Sequence, residues 1–505
     1  MQHTPLTKLQ RWIVLATVGA ALLLITLDHS VLYTALPTLL RDLDASTTQG
    51  LWIINAYPLV MAGLLLGAGT LGDRIGHRQM FLSGLLVFGL ASLTAAFAAN
   101  APLLIAARAF LAVGAAAMMP ATLALIRITF EDDRERNVAI AVWGSLAVVG
   151  SALGPILGGL LLERFWWGSV FLINVPVVVV AFAVGVVVTP HSSTDASRPW
   201  DMVSSLQALA ALSGLVYAIK EAVNAQPSWP MAAVAGGVAI VAGLCFAQRQ
   251  RRLTFPLLDV AIFRNPAFLA GVLAAVFTLF AMSGVQLVTT QRFQLVAGFS
   301  PLQAGLLVSA AALACLPSAL LGGALLHRLG LLPLIGGGLL VATVGVLVAS
   351  QGLVLGLPWV VAGLALLGLG LGAVMSVASS AIVGNAPAHR AGMASSVEEV
   401  AYEFGSLFAV ALLGSLVAAL YSANVQLPAG TAEVARTGVA EAMHLASTDS
   451  VGGAALARAA SQAFDHSYQM VMYVIAGVLA FGTLVTSVLL RRHGPGSLAY
   501  TAALH

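Results

Sequence analysis

Long apolar runs separated by short polar segments repeat along the whole chain. Fourteen of these runs approach or exceed about 20 residues, the length that lets an α-helix cross a hydrocarbon core of about 30 Å. The predicted spans cover residues 12–34, 50–71, 80–98, 103–126, 138–161, 167–188, 202–221, 231–248, 268–290, 302–325, 332–352, 358–383, 394–421 and 469–490. The pattern therefore predicts an all-α polytopic membrane protein with 14 transmembrane helices.

Two polar linkers divide these spans into groups. Residues 189–200 are rich in Ser and Pro, and residues 248–266 contain four arginines. The linkers bracket two spans, so the predicted order is six helices, then two, then six. The predicted units are an amino-terminal six-helix bundle (1–190), two inserted transmembrane helices with cytoplasmic linkers (191–264), a carboxyl-terminal six-helix bundle (265–493) and a cytoplasmic tail (494–505).

The last two spans are separated by a longer segment of moderate polarity, residues 422–465, which we predict to be an external loop. Within it, residues 432–446 carry the pattern of an amphipathic helix. A disordered loop fits this segment nearly as well, and both interpretations stay open at this point.

The composition supports a membrane protein. Of the 505 residues, 59% are hydrophobic and 9% are charged, against about 25% charged in soluble domains. Lys8 and Arg11 precede the first span, and most other Lys and Arg residues fall in loops on the same predicted side. Because cytoplasmic loops carry this excess, both termini are predicted to be cytoplasmic. The net charge of +3 thus reflects topology and does not indicate a nucleic-acid partner.

Acidic residues inside the predicted spans are the main candidates for function. Asp28 lies in the first span, and Glu398, Glu399 and Glu403 enter the thirteenth. A charge at the bilayer centre costs a few kcal/mol, so an ionisable residue there is by default a functional hypothesis. Glu399 and Glu403 are spaced i, i+4 and share a helix face, whereas Glu398 lies about 100° around the helix. One of the three could instead be solvated at the interface.

Arg108 lies about a third of the way into the fourth span. Such an arginine can serve as a structural partner for a backbone carbonyl. It can also hold a nearby carboxylate in its ionised form, since a cation within a few ångströms favours the charged state. We therefore group Arg108 with the acids as a candidate for proton coupling.

Two loops repeat weakly in the two predicted halves. Residues 69–78 read GTLGDRIGHR, and residues 322–330 end in HRLG without the acidic residue. Duplicated helical halves that enclose a midplane site are the common plan of secondary transporters. The repeat therefore favours a transporter.

The fifth span carries a glycine repeat. Gly150, Gly154 and Gly158 recur every four residues and form one smooth face, against which another helix can lie closely. Pro155 removes a backbone donor and bends the helix. The pattern indicates either ordinary tight packing or a contact that seals a transport pathway while two halves move.

These segments resemble one family. Residues 69–78 resemble the helix 2–3 loop signature of the major facilitator superfamily, and Arg108 with Gly114 is similar to its helix-4 arginine motif. Residues 150–159 closely resemble the motif that marks its drug antiporters, and residues 28–37 add a matching first helix.

Trp52, Tyr57 and the number of spans extend the resemblance to the 14-helix drug/proton antiporter branch, which includes bacterial exporters of quaternary ammonium compounds, dyes and methyl viologen. Two departures are visible: Tyr33 stands where that branch often has Asn, and the tenth span has no acid.

The resemblance implies conformational roles for two groups of residues. Those of the helix 2–3 loop would form a cytoplasmic latch, although a solvated charged turn is the simpler alternative. They are Gly69, Asp73, Arg74, Gly76 and Arg78. Those of the fifth span would seal the pathway against ion leak; they are Gly150, Gly154, Pro155, Gly158 and Gly159.

The chemistry expected of the acids is cation binding. A lipophilic cation loses hydration on entering a cavity, and an ionised carboxylate in a low dielectric compensates that loss. Aromatic faces add cation–π contact and methionines add adaptable apolar surface. Candidate cavity residues are Tyr57, Trp143, Phe277, Phe280, Met118 and Tyr402. Protonation of the acids would displace the cargo, so the sequence predicts a proton-coupled antiporter for lipophilic cations: quaternary ammonium compounds, dyes, viologens and, as a further class, bisbiguanides.

The sequence does not favour an enzyme. The only lysines, Lys8 and Lys220, lie in no phosphate-binding loop, and no HExxH or Gly-x-Ser-x-Gly pattern occurs. Cys245 and Cys315 lie far apart in predicted spans, so neither a disulfide nor a metal site is expected. We expect a monomer in the bacterial cytoplasmic (inner) membrane, driven by the proton gradient and without a cofactor. The alternatives are an exporter of tetracycline-like, quinolone-like or metabolite substrates on the same fold, and a non-transporting membrane sensor.

Overall fold

The structure is a computed structural model. It describes residues 7–190, 201–222, 227–253, 256–258, 260–386, 391–428, 432–448 and 452–493. Most of the predicted linker before the seventh span and the predicted tail 494–505 lie outside these residues.

Fourteen helices of the described residues are long and apolar enough to cross a membrane, which confirms the predicted number. They are α1 (Lys8–Asp42), α2 (Thr47–Ile75), α3 (His77–Ala96), α4 (Ala101–Thr129), α5 (Asp133–Arg164), α6 (Asn174–Val188), α7 (Met202–Ala222), α8 (Trp229–Arg252), α9 (Pro266–Gln291), α10 (Pro301–Leu329), α11 (Leu331–Leu355), α12 (Leu357–Gly384), α13 (Ala391–Phe408) and α14 (Gly453–Leu489). Within the described ranges there is no β-strand.

Three of these helices are extended by short elements. A four-residue helix, Ser169–Leu172, leads into α6, and α9 continues as a π-helical turn, Arg292–Val296. The helix α13 continues through a second π-helical turn, Ala409–Leu413, into Gly414–Asn424. Such π-helical turns are often found at functional sites.

The weak loop repeat has a backbone explanation. Gly76 ends α2 at φ 98°, and Gly330 ends α10 at φ 77°. Both values lie in the region that side chains other than glycine rarely occupy. Each glycine lets the chain reverse sharply between two helices, so the repeat preserves the turn in both halves although only the first copy contains an acid.

Two hydrophobic cores organise the helices. One is built mainly from α1–α6 and the other from α9–α14. The helix α7 packs against α2, where a Cβ on Gly63 would lie 2.8 Å from Leu209 Cβ. The helix α8 packs on α7 and buries only Gln250. The inserted pair is thus attached to the side of α2.

The last span differs from its prediction. The helix α14 begins at Gly453 and not near residue 469. The extension is amphipathic: Leu456, Ala460, Ala463 and Phe464 are buried at helical spacing, and this buried stripe stabilises helix where a loop was expected. A short helix, Val439–Thr448, lies beside it, so the helical interpretation of residues 432–446 is the one that the structure follows.

Candidate functional site

The two halves meet along a seam formed by α5 against α10 and α2 against α13. We call the end of the bundle where α1 begins the proximal end, and the end where α1 finishes the distal end. At the distal end, a Cβ on Gly159 would lie 2.5 Å from Leu302 Cα and 2.6 Å from Pro301 O. Gly305 approaches Pro155 O in the same way. At the proximal end, a Cβ on Gly69 would lie 3.8 Å from Ser396 Oγ.

The glycine repeat of α5 faces α1 and not the seam. Gly150, Gly154 and Gly158 lie directly against Thr26, Ser30 and Val31 of α1, respectively. The motif of the fifth span therefore makes two different contacts. Its repeat packs α5 against α1 within the amino-terminal half, and Gly159 packs α5 against the other half.

The helix 2–3 loop forms a local charged network. Asp73 Oδ1 lies 3.2 Å from His77 Nε2, four residues further along. Arg78 donates from Nε to Thr189 Oγ1 at 3.2 Å, at the end of α6, and Arg74 is exposed. The loop is thus connected to α6 in this conformation.

An ion pair lies in the core of the amino-terminal half. Asp28 and Arg108 are both fully buried and bonded through Oδ2 and Nη1. Asn174 of α6 donates to Asp28 Oδ1 at 3.1 Å, and Arg108 Nε donates to the Ile53 carbonyl at 3.3 Å. Both roles considered for Arg108, carbonyl partner and carboxylate partner, therefore occur together.

Further polar groups surround this pair. The Tyr57 ring centroid lies 4.6 Å from Arg108 Cζ, and Asn174 also donates to Ser92 Oγ at 3.3 Å. Among the described residues, the side chain of Asn55 and the hydroxyl of Tyr57 have no hydrogen-bond partner, although both are buried. Such groups are uncommon in native proteins.

The acids of α13 have a different environment. Glu398 accepts from Ser379 Oγ at 3.1 Å, and Glu403 Oε2 is buried without a hydrogen-bond partner. Glu403 interacts electrostatically with Glu399 and, across the seam, with Arg108. Among the described residues, no basic side chain lies within ion-pair distance of any of these three glutamates.

A hydrogen-bonded cluster crosses the seam beside them. Ser406 Oγ of α13 lies 3.1 Å from His29 Nε2, 3.1 Å from Tyr33 Oη and 3.1 Å from Ser283 Oγ. The ring of His29 also lies 6.0 Å from that of Tyr57. Sequence reasoning missed His29, Ser406, Asn174 and Ser92, because single small polar residues are common in membrane helices. The one available signal was that His29 directly follows Asp28.

The predicted cavity residues do not all come together. Tyr57 lies beside Arg108, and the hydroxyl of Tyr402 lies 3.5 Å from the Met375 carbonyl. Trp143 is half-buried and its indole N–H has no hydrogen-bond partner.

The other three predicted cavity residues make tight contacts inside one half, and their place in a cavity stays a prediction. Met118 packs against Gly84 of α3, the Phe280 backbone against Gly405 within the α9–α13 contact, and the Phe277 ring against Gly482 of α14.

Two helical bundles that share a seam, with buried charge beside it, define a secondary transporter. The family model of the Major Facilitator Superfamily matches residues 18–410. The chain therefore belongs to this superfamily, and it is a transporter and not an enzyme.

Its relatives include drug exporters, which confirms the resemblance seen in the motifs. The chain is 37% identical to the methyl viologen resistance protein SmvA of Salmonella typhimurium over 469 residues, covering 92% of this chain and 95% of that one. It is also 37% identical to the multidrug efflux pump LfrA of Mycolicibacterium smegmatis, covering 90% and 88%.

Solved structures support the fold. A bacterial homologue of the human lysosomal transporter Spinster, in an inward-facing and unoccupied conformation, matches with a TM-score of 0.66 at 18% identity, covering 97% of this chain and 100% of that one.

Proposed function

We propose that this protein is a proton-driven antiporter that exports lipophilic cations. The observation that carries the proposal is the unequal pairing of its membrane acids. Asp28 is neutralised by Arg108, whereas Glu403 has no ion-pair partner among the residues that the structure describes. A membrane site with a spare carboxylate is suited to a cation, and a second carboxylate that can exchange its partner is suited to a proton.

Arg108 couples Asp28 to Glu403. It is bonded to Asp28 and also interacts electrostatically with Glu403. When Asp28 takes a proton, Arg108 loses its anionic partner and its charge acts on Glu403 alone. In a low dielectric this charge competes strongly with a bound cation. Protonation of Asp28 thus promotes release of cargo from Glu403.

The surroundings of the acids suit an organic cation. Phe404 and Phe408 stack at 5.8 Å on the same helix as the glutamates, and Tyr57 already makes a cation–π contact with Arg108. Methyl viologen, the compound in the name of the Salmonella relative, is an organic dication. Quaternary ammonium compounds, dyes, viologens and bisbiguanides share this chemistry and are the proposed substrates.

Energetics set the number of protons. One charge crossing 100 mV is worth about 2.3 kcal/mol. Exchange of one proton for one monovalent cation gains nothing from the voltage, so use of the potential needs more protons than cargo charges: at least two for a monovalent cation and at least three for a dication. Asp28 with Glu398, Glu399 and Glu403 offers enough sites. We place the protein as a monomer in a bacterial inner membrane, with both termini cytoplasmic and no cofactor besides the proton gradient.

The test is accumulation of ethidium in inside-out vesicles with an acidified interior. We expect wild type and Asp201→Asn, which alters a buried acid far from the site, to accumulate the dye, and Asp28→Asn to fail. Absence of accumulation by wild type, in vesicles shown to hold their gradient, would reject cation/proton antiport. It would favour an exporter of neutral or zwitterionic drugs, or a non-transporting sensor.

A further inference from the structure

The hydrogen bonds of Ser406 can be counted. A serine hydroxyl donates one hydrogen bond and accepts two. Ser283 donates to Ser406, which leaves one donor and one acceptor position for His29 and Tyr33. All three partners are at hydrogen-bond distance, so the hydroxyl is fully used.

This saturation gives the cluster two arrangements. If Nε2 of His29 has no hydrogen, Ser406 donates to it and accepts from Tyr33. If Nε2 carries a hydrogen, Ser406 accepts from His29 and must donate to Tyr33, whose own hydrogen then goes to Ser283, the other serine hydroxyl that bonds to Tyr33. The state of the His29 ring therefore decides the direction of the bonds that join α1 to α13.

His29 is also connected to the ion pair. Consecutive side chains on a helix point about 100° apart, so Asp28 reaches into the amino-terminal core while His29 faces the seam. The Tyr57 ring is close to both groups. Its centroid lies 4.6 Å from Cζ of Arg108, the partner of Asp28, and 6.0 Å from the centroid of the His29 ring. The charged groups that act on this region are Asp28, Arg108 and Glu403, and the phenols are Tyr33 and Tyr57.

We propose that His29 is a positioning residue of the transport cycle: through Ser406 it sets how the two halves are hydrogen-bonded, and so links the Asp28–Arg108 pair to their relative movement. This inference rests on the proposed antiport function. It assigns His29 no contact with the cargo.

The test separates cargo binding from turnover. Ser406→Ala and His29→Leu remove the cluster, and His29→Gln keeps a polar group of similar reach. Ser467→Ala is the matched control, because Ser467 is a buried serine of the same half whose hydroxyl bonds only to Ala463 O of its own helix. Tetraphenylphosphonium binding is measured in nanodiscs, and its transport is measured in proteoliposomes across a pH series.

We expect Ser406→Ala and His29→Leu to bind tetraphenylphosphonium within about threefold of wild type, while their maximal rate falls at least about tenfold, equivalent to about 1.4 kcal/mol. The pH of half-maximal rate should shift in both. His29→Gln should recover much of the rate, and Ser467→Ala should match wild type. Unchanged rates and pH profiles, or a parallel loss of binding and rate, would overturn the proposal.

A second measurement does not depend on cargo. Thr47 Oγ1 and Glu441 Oε1 lie 3.5 Å apart and join the two halves at the distal end. In a Cys245→Ser background, spin labels on cysteines at both positions should report distance distributions that differ between acidic and neutral buffer. Adding Ser406→Ala should abolish that difference. If wild type transports no cation, the antiport function fails, and the spin-label distances alone decide the role of the cluster; a pH difference that survives Ser406→Ala refutes it.

Discussion

The two halves hold their membrane acids in opposite ways. In the amino-terminal half, Asp28 is fully buried and its charge is balanced by Arg108, with Asn174 satisfying the second oxygen. In the carboxyl-terminal half, Glu398 has only a serine hydroxyl, and Glu403 has an oxygen without a partner. The first acid is held by protein, and the second has bonding capacity left for a ligand.

This contrast fits the division of work that the proposed antiport requires. A buried ion pair contributes little net stability, but removal of one partner is strongly destabilising. In the proposed cycle, protonation of Asp28 would remove one partner and so favour a different arrangement of the surrounding helices. An unpaired carboxylate differs, because its burial costs free energy until a cation binds to it.

The largest effect is expected from Asp28→Asn. The change leaves the Arg108 charge buried without its partner, so transport should fall by at least about 100-fold and stability by roughly 3–5 kcal/mol. Dye transport and thermal unfolding measure the two losses. Adding Arg108→Gln should restore most of the stability and none of the transport. If Asp28→Asn is as stable as wild type, the ion pair has no such role.

A smaller effect is expected at the seam that separates the two acid sites. The Cβ introduced by Gly159→Ala would meet the backbone of Leu302 at 2.5 Å, and backbone cannot move aside as a side chain can. Overpacking of this kind costs about 1–3 kcal/mol, and we expect transport to fall by about 10- to 30-fold. Gly144→Ala on the same helix is the control, because its Cβ would have nothing within 4 Å. Equal rates for the two variants would contradict a close contact between the halves.

Glu403→Gln tests the contrast between the two acid sites in the carboxyl-terminal half. If Glu403 binds cargo as proposed, loss of its charge should weaken binding of a monovalent cation by about tenfold, or about 1.4 kcal/mol, and binding of a dication by more. Since no ion pair is broken, the unfolding temperature should not fall. Titration with ethidium and methyl viologen provides the measurement. Glu398→Gln, whose carboxylate is bonded to Ser379, should show a weaker effect.

The smallest effect is expected outside both sites. Burial acts to raise the pKa of Asp201, but hydrogen bonds from Arg249 and Ser204 outweigh it and hold that pKa below its usual range. Its ionised form therefore contributes stability that is fully present above the pKa of Asp in the unfolded chain and is lost as the pH falls through the lower pKa of the folded state. Asp201→Asn should cost about 1 kcal/mol or less at neutral pH and nothing at low pH, with transport within about twofold of wild type. Unfolding curves at several pH values show whether the difference fades as predicted.

The helical fold was predictable because a helix must be long and apolar to cross a bilayer. Apolar length and loop charge define the spans, and a paired glycine such as Gly76 and Gly330 marks equivalent turns. The start of α14 was not predictable in this way. Residues such as Leu456 and Phe464 are spaced so that one face of the helix packs against protein. A search for continuous apolar runs long enough to cross a bilayer does not detect such a helix.

The site was predictable only where charge is involved. Asp28, Arg108 and the α13 glutamates are noticed because ionised groups are expensive in lipid. Ser406 and Asn174 are neutral and small, and their importance comes from neighbours more than 100 residues away in sequence. The aromatic candidates are ambiguous for the opposite reason: an aromatic ring is equally at home in a core, and Phe280 is buried while Phe277 packs against Gly482.

The hairpin of α7 and α8 pairs several of its polar groups internally. Arg249 binds Asp201 at 2.9 Å, Gln250 donates to Ser204 at 2.6 Å, and a Cβ on Gly214 would lie 2.7 Å from the Ala235 carbonyl. Such a unit can enter the bilayer as one piece during synthesis. It can also be gained or lost in evolution as one piece, because neither six-helix half depends on it for the groups that bind charge.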